Sequence, residues 1–203
     1  MFDGIIDVHH ASEVDLATAK AAGVVAVIHK ATEGATVQDD KYAERRAQAK
    51  TLGLLWGAYH FATNAPVDQQ LANFATQAAL TATDFAALDY ETNTSKSGKD
   101  ITMSLAQAED FVTQFKAKFG FMPSVYGSDL LAKAAQQHPD SILKSCKLWI
   151  ANYNNVPTPP IPALWTSFTL WQFTETRDIG GVLCDSSRFA GTVDELRAAW
   201  PLR

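Results

Sequence analysis

The sequence predicts an α/β fold, an irregular TIM-like β/α barrel with helices missing from the last connections. Three observations predict it. Short β-rich runs alternate with helical segments through the first half of the chain. A helix–Gly–strand unit recurs at Gly23, Gly53 and Gly120. Four prolines (Pro157, Pro159, Pro160 and Pro162) then crowd 154-NNVPTPPIPALW-165. Alternation of this kind predicts parallel strands joined by helical crossovers. The proline cluster cannot be helical, so the last strands must be joined irregularly.

The β-rich runs are 4–8 (GIIDV), 24–30 (VVAVIHK), 54–61 (LLWGAYHF), 85–90 (FAALDY), 124–127 (SVYG), 148–153 (LWIANY), 169–173 (TLWQF) and 182–185 (VLCD). Between the fourth and fifth, Ala108, Phe111, Val112, Phe115 and Phe119 keep the spacing of one buried helical face. Ser104 with Gln107, and Thr192 with Glu195, have the spacing of capping boxes at helix starts. The three glycines stand where a helix C-terminus turns left-handed before a strand. An open doubly wound sheet is the alternative architecture. The chain lacks a GxGxxG or P-loop fingerprint, which argues against nucleotide binding.

The 203 residues suit one catalytic barrel domain over 1–203, with no linker to a second. A hydrophobic content of 47% at that length supports a core without staples. The net charge of −5 and the lack of a basic cluster argue against nucleic acid as a partner. The longest apolar run, AAGVVAVI, is too short for membrane insertion. The chain opens MFDGIIDVHH, with no basic n-region, so no signal peptide is visible. Cys146 and Cys184 are too few for a disulfide framework and are expected to be unpaired. A monomer is expected.

Parallel β/α folds bind ligands at the carboxyl ends of their strands. Those ends carry Asp7, His9 and His10, then Glu33, then Tyr59 and His60, then Asp89 and Glu91, then Tyr126, Asn152 and Tyr153, and last Gln172 and Asp185. In 85-FAALDYET-92 an apolar strand ends in two carboxylates at alternate positions, so both face the barrel mouth and Tyr90 faces away. Ionised carboxylates that close repel, and burial sharpens the conflict. Glycoside hydrolysis needs such a pair, with one carboxyl protonating the leaving oxygen while another group stabilises positive charge at the anomeric carbon. The bland alternative is a solvated strand end. Tyr59, Tyr126 and Tyr153 suit a sugar-holding rim. Trp149 and Trp171 fit core and rim equally well. DVHH invites a metal reading, but adjacent strand residues His9 and His10 point oppositely and no HxH or HExxH spacing occurs. No metal and no cofactor are expected.

Several stretches together resemble the glycoside hydrolase family 25 lysozymes, or Chalaropsis-type muramidases. They are 4-GIIDVHH-10, 29-HKATEG-34, 39-DDKYAERRAQAKTLGLLWGAYHFA-62, 88-LDYE-91, 123-PSVYGS-128, 149-WIANY-153 and 171-WQFT-174, with 185-DSSRF-189 a weaker echo. They run in family order over nearly the whole chain. The resemblance implies a helix-poor barrel that cleaves, with retention, the β-1,4 bond between N-acetylmuramic acid and N-acetylglucosamine in peptidoglycan. It implies action on the cell wall, outside the cytoplasm. Carried over, Glu91 is the general acid and then base, and Asp89 steadies the substrate's acetamido group as it attacks. Asp7 and Asp185 line the same site. The resemblance also places Tyr59, His60 and Tyr126 along the groove, and Glu33, Trp149, Tyr153, Gln172 and His9, read from the strand ends, complete the substrate-binding set. Two positions depart from the family: His9 stands at its usual serine, and Ser187 at its usual asparagine. Two alternatives stand beside this reading: a non-catalytic glycan-binding barrel, motivated by the altered first strand, and a metal-dependent polysaccharide deacetylase, motivated by DVHH.

Overall fold

A computed structural model describes all residues 1–203. Its elements are β1 (Phe2–Val8), α1 (Leu16–Ala21), β2 (Ala26–Glu33), β3 (Val37–Gln38), α2 (Tyr42–Leu52), β4 (Leu55–Phe61), α3 (Val67–Ala78), β5 (Phe85–Asp89), α4 (Leu105–Phe119), β6 (Ser124–Gly127), α5 (Asp129–Gln137), β7 (Leu148–Ala151), β8 (Leu170–Ile179), β9 (Val182–Phe189) and α6 (Val193–Ala199). Strands β1, β2, β4, β5, β6, β7, β8 and β9 pair in that order, and β9 returns to β1. Closure through both β1–β2 and β1–β9 excludes the open sheet. Strand β3 is a short antiparallel flap on β2.

The capping expectations hold. Ser104 and Thr192 form complete capping boxes with Gln107 and Glu195. Gly53 and Gly120 end α2 and α4 in the left-handed conformation. No helix stands between β7 and β8, where the prolines lie. Strand β9 runs antiparallel to both its neighbours, unlike the other staves of the barrel. The β8–β9 hairpin turns at Gly180 and Gly181, both at positive φ, and register shifts interrupt its ladder on either side of Thr174. Such bulges bend a strand. The hairpin accordingly curls over the outside of β1, where Arg177 reaches the carbonyls of Asp3 and Ala22 and where Ile179 and Cys184 join the outer core. Ile179 and Cys184 thereby share the outer core with Ile6 and Val8 of β1.

Strand alternation sorts the residues into two cores. The outer one lies between barrel and helices and includes Ile6, Val27, Trp56, Leu88, Phe111, Val112, Phe115 and Trp171. The inner one is small: Ile5, Ala26, Ile28, Phe85, Ala87, Tyr126, Trp149, Ala151 and Leu170, with Leu196 and Leu202 closing the floor beneath α6. Both cysteines are free and buried. No helix is long and apolar enough to cross a membrane.

His60 belongs to the outer core. It is fully buried, stacks on Phe111 with ring centroids 5.1 Å apart, and meets Thr32 Oγ1 at 2.7 Å and Gln70 Oε1 at 3.1 Å. Burial lowers its pKa from 6.5 to about 4. Between those values the unfolded chain binds a proton that the folded chain refuses, so this group costs stability as pH falls. In thermal unfolding, His60→Gln should lose less stability than the wild type between pH 6.5 and about 4. Equal losses would show that the ring titrates normally.

Candidate active site

At the carboxyl ends of the parallel strands, Asp7, Tyr59, Asp89, Glu91, Tyr126, Trp149, Gln172 and Asp185 line one cavity of about 110 Å3. A roomier hollow of about 590 Å3 lies beside α6, but Glu195 is its lone titratable side chain and is already engaged as a helix cap. Converging chemistry, and not size, selects the first. All eight lining residues were expected from the sequence. Tyr153 joins them by donating its hydroxyl to Gln172 Oε1 at 2.5 Å.

Each inward residue follows from strand parity. On β5, Phe85 and Ala87 fill the inner core and Asp89 continues the same face, while Leu88 and Tyr90 enter the outer core. Glu91 lies two residues past the end of β5 and lines the same cavity. On β1, Ile5 points inward and Asp7 follows it, directly across from Asp185 of β9. Trp149 is core and rim at once: its indole N–H donates to buried Ser187 Oγ at 2.9 Å, and its ring meets Tyr126 edge-on at 4.7 Å between centroids. Ser187 therefore supports the floor of the cavity.

The four carboxyls form two pairs. Asp89 is within hydrogen-bonding reach of Glu91, and Asp7 of Asp185. Asp89 Oδ1 and Asp7 Oδ1 are buried and receive no hydrogen bond. A carboxylate offers no donor to another carboxylate, so these contacts become hydrogen bonds only when each pair holds a proton. The electrostatics agree. Burial, followed by the charge of Glu91, pushes Asp89 well above the carboxylate range. Burial and then the charge of Asp185 do the same to Asp7. Burial raises Glu91, with hydrogen bonds from Asp89 and Ser128 partly offsetting it. Asp185, less enclosed, is pushed up to about 6 by burial and then by Glu175.

A raised carboxyl binds its proton more tightly in the folded state than in the unfolded chain. Its contribution to stability is complete below the ordinary value of 3.8 and is lost as pH rises through about 6. At neutral pH, therefore, ionised Asp185 works against the fold. Asp185→Asn should raise stability at neutral pH by about 1 kcal/mol, discounted for solvent screening of a part-exposed group. Near the unfolded pKa the gain should vanish. Chemical denaturation at both pH values reads this directly, and an equal gain at both would refute the electrostatic cause.

Three expected site residues lie elsewhere. Tyr59 and His60 are neighbours on one strand, so they face opposite sides, and His60 faces the helices. Glu33 ends β2 and pairs with Lys30 Nζ at 3.0 Å, outside the cavity lining. Strand β1 stops at Val8, so strand parity does not carry Asp7's direction on to His9. Nor do His9 and His10 point oppositely: their rings meet edge to face at 5.3 Å, and His9 Nδ1 accepts the Ala11 N–H in a turn. No set of three or more His, Cys, Asp and Glu side chains has the arrangement of a metal site. Two contributors were missed. Lys30 is the cation whose charge pulls Asp89 downward, and Ser128 contacts Glu91. Lys30 shares the inward parity of Ile28, which was legible in HKATEG. Ser128 immediately precedes α5 and ends the stretch 123-PSVYGS-128, where it was given no role.

The chain has relatives among known proteins. The family described as Glycosyl hydrolases family 25 matches residues 6–182, which stops short of Asp185. The chain is 27% identical over 205 aligned residues to "Lysozyme M1" of Streptomyces globisporus, covering 95% of this chain and 69% of that protein. Among solved structures, a bacterial lysozyme from Streptomyces coelicolor superposes with a TM-score of 0.79 at 28% identity, over 97% of this chain and 95% of that one. A muramidase from Acremonium alcalophilum gives 0.81 at 28% identity, over 98% of each chain. With its match spanning most of the barrel, the chain belongs to glycosyl hydrolases family 25.

Proposed function

We propose that this protein is a peptidoglycan hydrolase, a muramidase that cleaves the β-1,4 bond between N-acetylmuramic acid and N-acetylglucosamine with retention. The Asp89–Glu91 pair carries the reading. Carboxyls within hydrogen-bonding reach leave no space for the water that an inverting pair, about 6.5–9.5 Å apart, must hold. Attack from within the substrate needs no such space.

In the resting site one proton bridges Asp89 and Glu91. A bound sugar redistributes it. An acetamido N–H placed against Asp89 favours the charged carboxylate, and a glycosidic oxygen placed against Glu91 takes up its proton. Glu91 then protonates the leaving oxygen while the acetamido carbonyl oxygen attacks the anomeric carbon, and Asp89 stabilises the cationic ring so formed. Water, deprotonated by Glu91, opens that ring and restores both groups. Asp7 and Asp185 keep the cavity negative near the developing charge. Tyr59, Tyr126 and Tyr153 hold the sugar. Residues 1–203 act as one catalytic domain that supplies every one of these groups, and in this reading it works as a monomer. The substrate places the activity at the cell wall, outside the cytoplasm.

Incubation with purified peptidoglycan tests the reading by the identity of the new reducing ends. Muramic-acid ends with retained anomeric configuration support it. Glucosamine ends would reassign the bond cleaved. Sedimentation with the wall and no new ends would make the protein a glycan-binding barrel.

A further inference from the structure

Gln172 was expected to touch substrate, yet its amide is largely committed within the protein. It is 2% exposed, although it sits at the barrel mouth. Tyr126 Oη lies 2.6 Å and Tyr153 Oη 2.5 Å from its Oε1, and its Nε2 lies 2.6 Å from Asp7 Oδ2. The amide nitrogen faces Asp7 Oδ2 and donates to it, and the amide oxygen accepts from both tyrosines. Both phenolic protons are thus directed at one oxygen.

We infer that Gln172 is a positioning residue that fixes the proton shared by Asp7 and Asp185 on the side facing Asp185. With the amide N–H occupying Asp7 Oδ2, the unpartnered Asp7 Oδ1 is the atom left to carry that proton. Cross-strand pairing sets Asp185 directly opposite. The result is one directional chain: two tyrosine hydroxyls to Gln172, Gln172 to Asp7, and Asp7 to Asp185. Tyr153 is 49% exposed at the rim, so a sugar that engages its hydroxyl pulls on one end of a chain that ends at the acid pair. This goes beyond the muramidase reading but rests on it.

Other charged or titratable groups face the pair from every side. Asp89 and Glu91 come from β5 and the residues after it, Tyr59 from β4, Tyr126 from β6, Tyr153 from the segment after β7, Glu175 from β8 and Cys184 from β9. None of them donates a hydrogen bond to Asp7 Oδ2, which leaves Gln172 as the lever on this pair.

The test uses the full chain as wild type, Gln172→Leu and Gln172→Glu. Two readouts are taken across the acidic and neutral range: kcat and KM for reducing-end release from peptidoglycan, and carboxyl NMR titration with side-chain-labelled aspartate. Gln172→Leu removes a donor that favours ionised Asp7, so the pair should titrate about one pH unit higher. The limb of the kcat/KM profile that reports the pair should move with it. In Gln172→Glu the introduced carboxyl, while protonated, can still accept from both tyrosines and donate to Asp7. This variant should approach wild-type kcat at acid pH and fall more than about tenfold as the carboxyl ionises. Profiles that are scaled but not shifted, with unmoved NMR titrations, would overturn the inference and leave Gln172 a packing residue. Should Gln172→Leu fail to fold, Gln172→Glu alone decides through its pH-dependent rescue. If wild type releases no reducing ends, the muramidase reading fails while the NMR titration still decides the role of Gln172.

Discussion

Glu91→Gln is expected to lower kcat for wall cleavage by about 10²–10⁴-fold, the range for loss of a general acid–base group. That corresponds to about 3–5 kcal/mol of transition-state stabilisation. The change is nearly isosteric, and KM should move little, because the amide still fills the space of the carboxyl. The pH response should also change. Burial holds the wild-type Glu91 proton to higher pH than an ordinary carboxyl would. Wild-type activity should therefore decline as pH rises through that elevated value. In the variant this limb should disappear with the group that causes it. Stability argues in the same direction: removing one of two acids that compete for a proton relieves repulsion, so the variant should unfold no earlier than wild type at neutral pH. A folded variant with wild-type kcat would remove Glu91 from the chemistry.

Asp89→Asn is expected to cost about 10²–10³-fold in kcat, as loss of one preorganised electrostatic partner does. The amide keeps a donor toward Glu91 but cannot take a negative charge when the substrate's ring becomes cationic. The loss should fall on kcat and kcat/KM together, since the interaction is made in the transition state. A substrate whose acetamido group has been removed provides the control. Wild type should lose activity on it, and Asp89→Asn should lose little more. If both substrates suffer equally from the mutation, Asp89 acts on something other than the acetamido group.

Much of this site was legible in the sequence because strands have a period of two. Once 85–90 is a strand with Phe85 and Ala87 inside, Asp89 has no other direction to face, and Glu91 follows. The same rule, applied strictly, would have excluded His60, since Tyr59 stands beside it. What misled there was resemblance, which marks a conserved-looking pair without saying which member looks inward. Position at strand termini was harder to read. His9 lies beyond the last residue of β1, and a register shift interrupts the β2–β4 ladder between Lys30 and Thr32, just before Glu33. Strand length at the C-terminal end was also hidden. The run at 169–173 grows into Leu170–Ile179 because its partner is β9, an antiparallel pairing that no local pattern announces. Asp185 lies past the family match and was found by a weak echo, yet β9 sets it directly across from Asp7.

Closure of the barrel by its first and last strands has a kinetic consequence. Gln172 and Asp7 touch across 165 positions of sequence, and Asp185 comes later still. Contacts of such separation are the slowest to form, because the loop-closure entropy must be met before they reward it. On a ribosome, β1 and the crossovers through β7 can pair as they emerge, but Asp185, the acid opposite Asp7, is made after every other residue that lines the cavity. The cutting edge of this protein is therefore completed only when the barrel closes, and a nascent chain that stalls before β9 holds seven of the eight cavity residues without the acid that faces Asp7.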